Sequence, residues 1–191
     1  MSVAPMTAAD FEPLYAAEPD PWGYTTSAYE RAKYAATLRA CGPQRHQRAL
    51  ELGGSLGVFS KLLAPRSREL ITIDASPTAV LRARTRLTGS PWAQPLVGVI
   101  PDELPDGPFD LVVASEVLYY LSPAELERTL EELRPRMPRG AALVAVHWRP
   151  RTAERVLDAQ DVHTMVRQVP WLRSVRREQH PQYLLERLER R

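Results

Sequence analysis

The chain has 191 residues, of which 44% are hydrophobic and 25% charged, as is typical of a globular protein of one domain. Its formal net charge of +2 is too small to indicate a nucleic-acid partner. No apolar run is long enough to span a bilayer, and residues 1–6 lack the basic flank and apolar core of a signal peptide. The single cysteine, Cys41, excludes an internal disulfide framework. We therefore expect a cytoplasmic protein that binds neither nucleic acid nor membrane.

Two helical segments are predicted before the first strand. Thr7 caps a short helix that extends to Ala17, and Ser27 opens a second helix that ends near residue 40, before a Gly-Pro pair. The aromatic residues of this region either attach it to the sheet or close it over a ligand, and both alternatives stay open. The candidates for contact with a substrate are Trp22, Tyr24 and Tyr29.

Residues 48–59 predict a strand, a tight turn and a helix. Glu51 ends the apolar strand, and Gly53 and Gly57 permit backbone angles or close approaches that a side chain would forbid. Gly54 and Ser55 keep the turn small. The free N–H groups of the following helix point toward whatever lies over the turn, so the pattern favours ligand binding there.

A second apolar strand, at 70–74, ends in Asp74. This carboxylate follows the first glycine by roughly 20 residues, the spacing at which an acid meets ribose hydroxyls in nucleotide-binding βαβ units. Residues 76 and 77 then supply a cap and a proline at the first turn of the next helix.

The rest of the chain continues the alternation of strands and helices. Strands are predicted at 96–100, 109–115, 141–147, 171–177 and 182–190, and helices at 122–136 and 158–168. For 182–190 the residue pattern also fits a helix locally, and the fold favours a strand. Alternation of this kind predicts a mostly parallel sheet with right-handed crossovers.

The glycine turn resembles the first motif of the class I S-adenosylmethionine-dependent methyltransferases, with small residues at spacing two and then two. Residues 105–113 resemble the entry of that class to strand four. The resemblance implies a single α/β Rossmann-like domain with a mostly parallel seven-stranded sheet and helices on both faces. It implies an N-terminal helical lid at 1–43, a donor-binding core at 44–150, and a C-terminal helix with the last strands at 151–191.

The same resemblance implies S-adenosylmethionine as cofactor, S-adenosylhomocysteine as product, and no metal. Glu51 matches the acid of the motif and Asp74 the acid that holds the ribose. Gly54 stands where the family pattern leads us to expect cysteine. The cofactor-binding residues implied are Glu51, Gly53, Gly54, Ser55, Gly57, Asp74, Ala75, Ile100, Pro101 and Ser115, with Ala75, Ile100 and Pro101 beside adenine.

Residues 20–38, 115–121 and 147–148 are similar to segments of the nodulation protein S family. That family comprises methyltransferases, and its namesake methylates the free amine of a de-N-acetylated chitin-type oligosaccharide. The resemblance implies N-methylation of a small-molecule amine such as an amino sugar. The oligomeric state is not indicated.

An ammonium group cannot attack a methyl donor, so an amine acceptor must lose a proton, and a carboxylate or imidazole can take it. Glu116 follows strand four and His147 ends strand five, at the edge of the sheet where ligands bind. We assign Glu116 to amine binding and His147 to the base or a hydrogen-bonding partner, with Tyr119 and Tyr120 as further candidates for substrate contact. Two alternatives stay open: a non-methylating displacement, cyclisation or elimination on the same scaffold, and a non-catalytic binding protein.

Overall fold

A computed structural model describes residues 4–191, so the first three residues of the predicted lid segment lie outside the described residues. The strands are β1 His46–Leu52, β2 Ser67–Asp74, β3 Ala93–Val97, β4 Leu111–Ser115, β5 Ala142–Trp148, β6 Leu172–Gln179 and β7 Tyr183–Arg190. The helices are α1 Ala8–Ala17, α2 Ala28–Ala40, α3 Val58–Leu63, α4 Pro77–Arg86, α5 Pro123–Arg136 and α6 Ala159–Gln168, with short 3₁₀ turns at Ala64–Arg66 and Leu118–Tyr120.

Within the described residues the strands form one seven-stranded sheet in the order β3-β2-β1-β4-β5-β7-β6. β1 to β5 are mutually parallel, and β7 lies antiparallel between β5 and β6. The strand order reverses between β1 and β4, and ligands of open α/β sheets bind at the carboxyl ends of the strands beside such a reversal. The predicted mostly parallel sheet and the two final strands are confirmed.

The central strands are buried on both faces. In β4, Val112 and Ala114 belong to a core with α5 and α6, whereas Leu111 and Val113 belong to a core with α2 and α3. Alternate side chains of a strand point to opposite faces, so two helical layers cover the sheet, as predicted. None of the helices within residues 4–191 combines the length and the apolar character that crossing a bilayer requires.

The prediction of strand three at 96–100 is wrong. β3 is Ala93–Val97 and includes Pro95, which pairs with Thr72 of β2. Because β3 is an edge strand of the sheet, a proline without an N–H is tolerated there. The apolar residues Val99 and Ile100 follow the strand and line the cavity described below.

Helix caps position the segments over the sheet. The Ser27 hydroxyl accepts the Glu30 N–H and starts α2, and Ser122 and Glu125 form a capping box that starts α5. Helix α1 is attached to the start of α4, because the Glu12 carboxylate accepts hydrogen bonds from the Ser76 hydroxyl (2.5 Å) and the Thr78 hydroxyl (2.6 Å). These bonds hold α1 over the carboxyl ends of the parallel strands.

Candidate donor and acceptor site

A cavity of about 270 Å³ lies between α1 and the carboxyl ends of β1, β2 and β4. Most of the residues predicted for the site line it. They are Trp22, Tyr24, Glu51, Gly53, Gly54, Ser55, Asp74, Ala75, Ile100, Ser115, Glu116 and Tyr120. Eight of the ten predicted donor residues and the predicted amine-binding carboxylate therefore share one cavity.

Five predicted site residues do not line this cavity: Gly57, Pro101, Tyr29, Tyr119 and His147. Gly57 instead permits close packing, since a Cβ at that position would lie 3.0 Å from the Cβ of Ala83 in α4. Pro101 follows the lining residue Ile100, and the Tyr29 ring lies over the ammonium of a buried lysine, 5.1 Å from it. Residues 4–191 contain no cluster of His, Cys, Asp and Glu arranged as a metal site.

The glycine turn at the end of β1 is fixed by contacts with two neighbouring segments. Gly53 and Gly54 donate their N–H groups to the Ile73 carbonyl at 2.9 and 3.1 Å. Gly53 has φ +70°, and a Cβ there would lie 2.8 Å from the Val117 Cβ. A Cβ on Gly54 would lie 1.7 Å from the Thr72 hydroxyl oxygen. Both glycines are therefore required by packing in this chain, and they bring the backbone to the wall of the cavity.

The Asp74 carboxylate is oriented by two backbone N–H groups. Its Oδ2 accepts from Ser55 N–H at 2.7 Å, and its Oδ1 accepts from Ser76 N–H at 3.0 Å. Burial raises the pKa of this carboxyl, although the two N–H groups oppose the shift. Each oxygen keeps a further lone pair, so the carboxylate can accept two vicinal hydroxyls from the cavity.

Glu51 lies behind the glycine turn and is 3% exposed. Its Oε2 accepts a hydrogen bond of 2.5 Å from the Ser60 hydroxyl in α3. Burial raises the pKa of the Glu51 carboxyl from its ordinary 4.5 to about 7. This carboxyl is therefore a poorly solvated group that a positively charged neighbour would stabilise.

The N-terminal segment closes the cavity with side chains that the sequence analysis missed. The Tyr15 hydroxyl lies 2.5 Å from the Ser55 hydroxyl oxygen, and the Tyr15 ring packs edge-on against Trp22 with centroids 5.4 Å apart. Phe11 packs edge-on against Tyr120 at 4.9 Å. Phe11 and Tyr15 lie four residues apart on one face of α1, and that spacing was the signal available in the sequence.

Glu116 lies at the opposite end of the cavity, in a turn with φ +58°. One carboxylate oxygen accepts a hydrogen bond of 2.6 Å from the Lys33 ammonium. The other accepts from the Trp148 N–H at 3.0 Å and from the Tyr119 hydroxyl. Tyr119 thus lies behind Glu116 and orients it instead of facing the cavity. The carboxylate is held in place and has lone-pair capacity for one further donor.

Lys33 was not predicted from the sequence as a site residue. Its ammonium also donates to Glu30 at 2.9 Å, and its side chain is only 2% exposed. A single lysine among the aromatic and small residues of a helix does not form a recognisable motif, so there was no reason to select it from the sequence. A buried ammonium between two carboxylates is nevertheless a costly arrangement, and such arrangements are concentrated at functional sites.

His147 is fully buried behind the turn that carries Glu116. Its Nε2 accepts from the Leu118 N–H at 3.3 Å, and its Nδ1 lies 3.2 Å from His163 Nε2. Burial lowers the pKa of this imidazole well below its ordinary value, so the ring is neutral. His147 therefore supports the turn from behind, and a role as the base in contact with the acceptor does not fit this position.

Comparisons with known proteins identify the family of this chain. The sequence profile of the family described as nodulation protein S (NodS) matches residues 13–139. Nodulation protein S of Sinorhizobium fredii is 35% identical over 113 residues, 58% of this chain and 51% of that protein. The homologue from Rhizobium tropici is 34% identical over 129 residues, 65% of this chain and 53% of that protein. The chain spans about half the length of the curated relatives that it matches.

Solved structures extend the similarity over the fold. The N-methyltransferase NodS from Bradyrhizobium japonicum WM9, in complex with S-adenosyl-L-homocysteine, superposes with a TM-score of 0.85 and 26% identity over 97% of this chain and 99% of that one. The PH0226 protein from Pyrococcus horikoshii OT3, at 18% identity and a TM-score of 0.75, shares the fold.

The sheet order, the glycine turn and the acid at the end of β2 define the class of Rossmann-like S-adenosylmethionine-dependent methyltransferases. Within that class, the chain belongs to the nodulation protein S family.

Proposed function

We propose that this chain is an S-adenosylmethionine-dependent N-methyltransferase that acts on the free amine of a small molecule, such as an amino sugar or a deacetylated oligosaccharide. The observation that carries the proposal is that Asp74 and Glu116 line the same cavity. The complex of the NodS N-methyltransferase with S-adenosyl-L-homocysteine, which matches nearly the whole chain, supports it. We also propose a cytoplasmic location.

The donor end of the cavity has the chemical groups that a nucleoside with an amino-acid side arm requires. Asp74 would accept hydrogen bonds from the ribose hydroxyls, and the apolar side chains of Ala75 and Ile100 would flank adenine. Glu51 and the backbone of Gly53 would face the amino-acid part. When bound, the donor supplies a methyl group on a positively charged sulfur.

At the acceptor end of the cavity, a carboxylate that would bind an amine lies among aromatic side chains. Glu116 would accept a hydrogen bond from the acceptor nitrogen and hold its lone pair in line with the methyl group, which is where most of the rate of such a transfer arises. Trp22, Tyr24 and Tyr120 would pack on the apolar face of a sugar ring and exclude water. The product nitrogen would leave with one more methyl group.

The proposal is tested by transfer of a labelled methyl group to a panel of acceptors. The panel pairs the disaccharide of glucosamine with its N-acetylated counterpart, and adds an aliphatic amine and a simple sugar without an amine. We expect label in the free-amine sugar and none in the N-acetylated or amine-free compounds. Label in the amine-free sugar would indicate O-methylation and contradict the proposal. Donor binding without label in any acceptor would favour one of the alternative chemistries.

A further inference from the structure

Lysine is almost absent from this chain. Of its 25 basic Lys and Arg residues, only Lys33 and Lys61 are lysines. Lys61 is exposed on α3, whereas Lys33 is buried behind the acceptor end of the cavity. Among residues 4–191 the deeply buried cationic side chain is therefore a lysine, although the chain uses arginine nearly everywhere else. An arginine side chain does not give up its proton in proteins, whereas a buried lysine can do so.

Lys33 connects two carboxylates, one that lines the cavity and one that does not. Its Nζ lies 2.6 Å from an oxygen of Glu116, which lines the cavity, and 2.9 Å from an oxygen of Glu30. Glu30 does not line the cavity. The three side chains thus form a continuous line of hydrogen bonds that leads from the acceptor end of the cavity into α2.

We propose that Glu116, Lys33 and Glu30 form a proton relay that removes the proton from an incoming ammonium acceptor. The N–H bond of the acceptor breaks as its proton moves to Glu116, and the electron pair stays on the nitrogen. Glu116 passes a proton to Lys33 while Lys33 passes one of its own to Glu30. Glu116 ends as a carboxylate, Lys33 as an ammonium and Glu30 as a neutral acid. The relay rests on the function proposed above.

The environment of Glu30 suits the end of such a relay. Burial raises the pKa of the Glu30 carboxyl, although Lys33 opposes the shift. Its side chain keeps 10% of its surface exposed while its Oε2 is buried, so release of the proton to solvent between turnovers requires a movement of the side chain. Glu116 accepts three hydrogen bonds on its carboxylate, whereas the Oε2 of Glu30 has no hydrogen-bond partner within the described residues. This oxygen of Glu30 is therefore free to carry the proton.

Other titratable and charged groups face this line from the surrounding elements. They are Tyr29 and Tyr34 of α2, Tyr119 of the 3₁₀ turn, His147 of β5, Arg155 of the following loop, and Tyr183 of β7. The phenols of these tyrosines have pKa values above their ordinary value and the His147 imidazole has one below it, so the rings stay neutral. Glu30, which contacts Lys33 directly, is therefore the group that can hold the extra proton.

The test is the pH profile of methyl transfer to the disaccharide of glucosamine. Lys33→Arg keeps the positive charge but cannot pass a proton, and Glu30→Gln keeps the shape but cannot accept one. We expect each variant to be slower than wild type by about 100-fold at about pH 6, where the acceptor is an ammonium. The defect shrinks to less than about tenfold at about pH 9, where the acceptor is already a free amine. Lys61→Arg is the matched control and keeps the wild-type profile.

S-adenosylhomocysteine melting shifts show whether each variant is folded and binds the donor. Parallel pH profiles in wild type and both variants would overturn the relay, and so would full turnover in Lys33→Arg, which would mean that only the charge matters. A wild-type protein that labels no amine at any pH refutes the proposed function, and the relay with it. That outcome is visible in the wild type alone, so the two failures are distinguishable.

Discussion

The two ends of the cavity are built in different ways. At the donor end, the contacts run between backbone groups and side chains close in sequence, such as Ser55 and Asp74, which are 19 residues apart. At the acceptor end, side chains far apart in sequence meet: Lys33 and Glu116 are 83 residues apart, and Glu116 and Trp148 are 32 apart. The donor end is therefore determined mainly by two strand–turn units, whereas the acceptor end depends on how several elements pack.

This difference explains why one fold can keep its donor and change its acceptor. The glycine turn is held by the Ile73 carbonyl and by the packing of Val117 and Thr72, so few substitutions leave it intact. The acceptor end consists mainly of side chains on α2 and in residues 116–120, which lie outside the strands of the sheet, so it can vary while the strands stay the same.

The largest expected effect is on turnover, and it distinguishes the acceptor end of the cavity from the donor end. Glu116→Gln should lower the turnover number by about 100-fold or more, because the acceptor loses its proton-accepting group. S-adenosylhomocysteine affinity, measured by calorimetry, should change by less than about threefold, because the donor contacts remain. The exposed Glu127→Gln is the matched control. Equal turnover in wild type and Glu116→Gln would remove Glu116 from the mechanism.

The second prediction concerns the dependence of stability on pH. The folded protein holds the Glu51 proton more tightly than the unfolded chain, because the pKa is raised from 4.5 to about 7. Glu51 therefore reduces the free energy of unfolding as the pH rises from about 4.5 to about 7, and has no further effect above that. Between pH 5 and pH 8 the free energy of unfolding of Glu51→Gln should rise, relative to that of wild type, by up to about 3 kcal/mol. This follows from about 1.4 kcal/mol for each pKa unit. Unfolding in urea at both pH values measures this. If the free energies of unfolding of wild type and Glu51→Gln differ by the same amount at both pH values, Glu51 does not titrate in this range.

The third prediction addresses the donor end alone. Asp74→Ala should weaken S-adenosylhomocysteine binding by about 10- to 100-fold, which corresponds to the loss of hydrogen bonds to a charged group. Asp106→Ala, in an exposed loop, serves as the control for loss of a carboxylate. Unchanged affinity in Asp74→Ala would place the ribose elsewhere.

The smallest expected effect tests the packing of the glycine turn. Gly54→Cys should destabilise the protein by about 1–3 kcal/mol in urea, because the new Cβ meets the Thr72 hydroxyl. Thr72→Ala should restore much of the loss in the double variant, and Thr72→Ala alone provides the reference. If Gly54→Cys is as stable as wild type, the contact is not a constraint.

The order of elements could be predicted from the sequence, and so could the place of several predicted donor residues along the cavity. Glycine spacing and strand ends are local patterns, so the turn at Gly53 and the position of Asp74 at the end of β2 could be predicted from them. The last strand followed from the needs of the fold, because its local pattern also fits a helix. The limits of β3 were missed, because an edge strand with Pro95 lacks the apolar run of a buried strand. Lys33 and the buried position of His147 were missed because both depend on contacts between elements distant in the chain.

Donor binding is the claim on which both proposals depend, and calorimetric titration of wild-type protein with S-adenosylhomocysteine, with melting measured in parallel, tests it most directly. We predict saturable binding at one site and a melting temperature that rises with ligand concentration, because the ligand binds only the folded chain. A folded protein that shows neither heat of binding nor a melting shift at millimolar ligand would contradict the account.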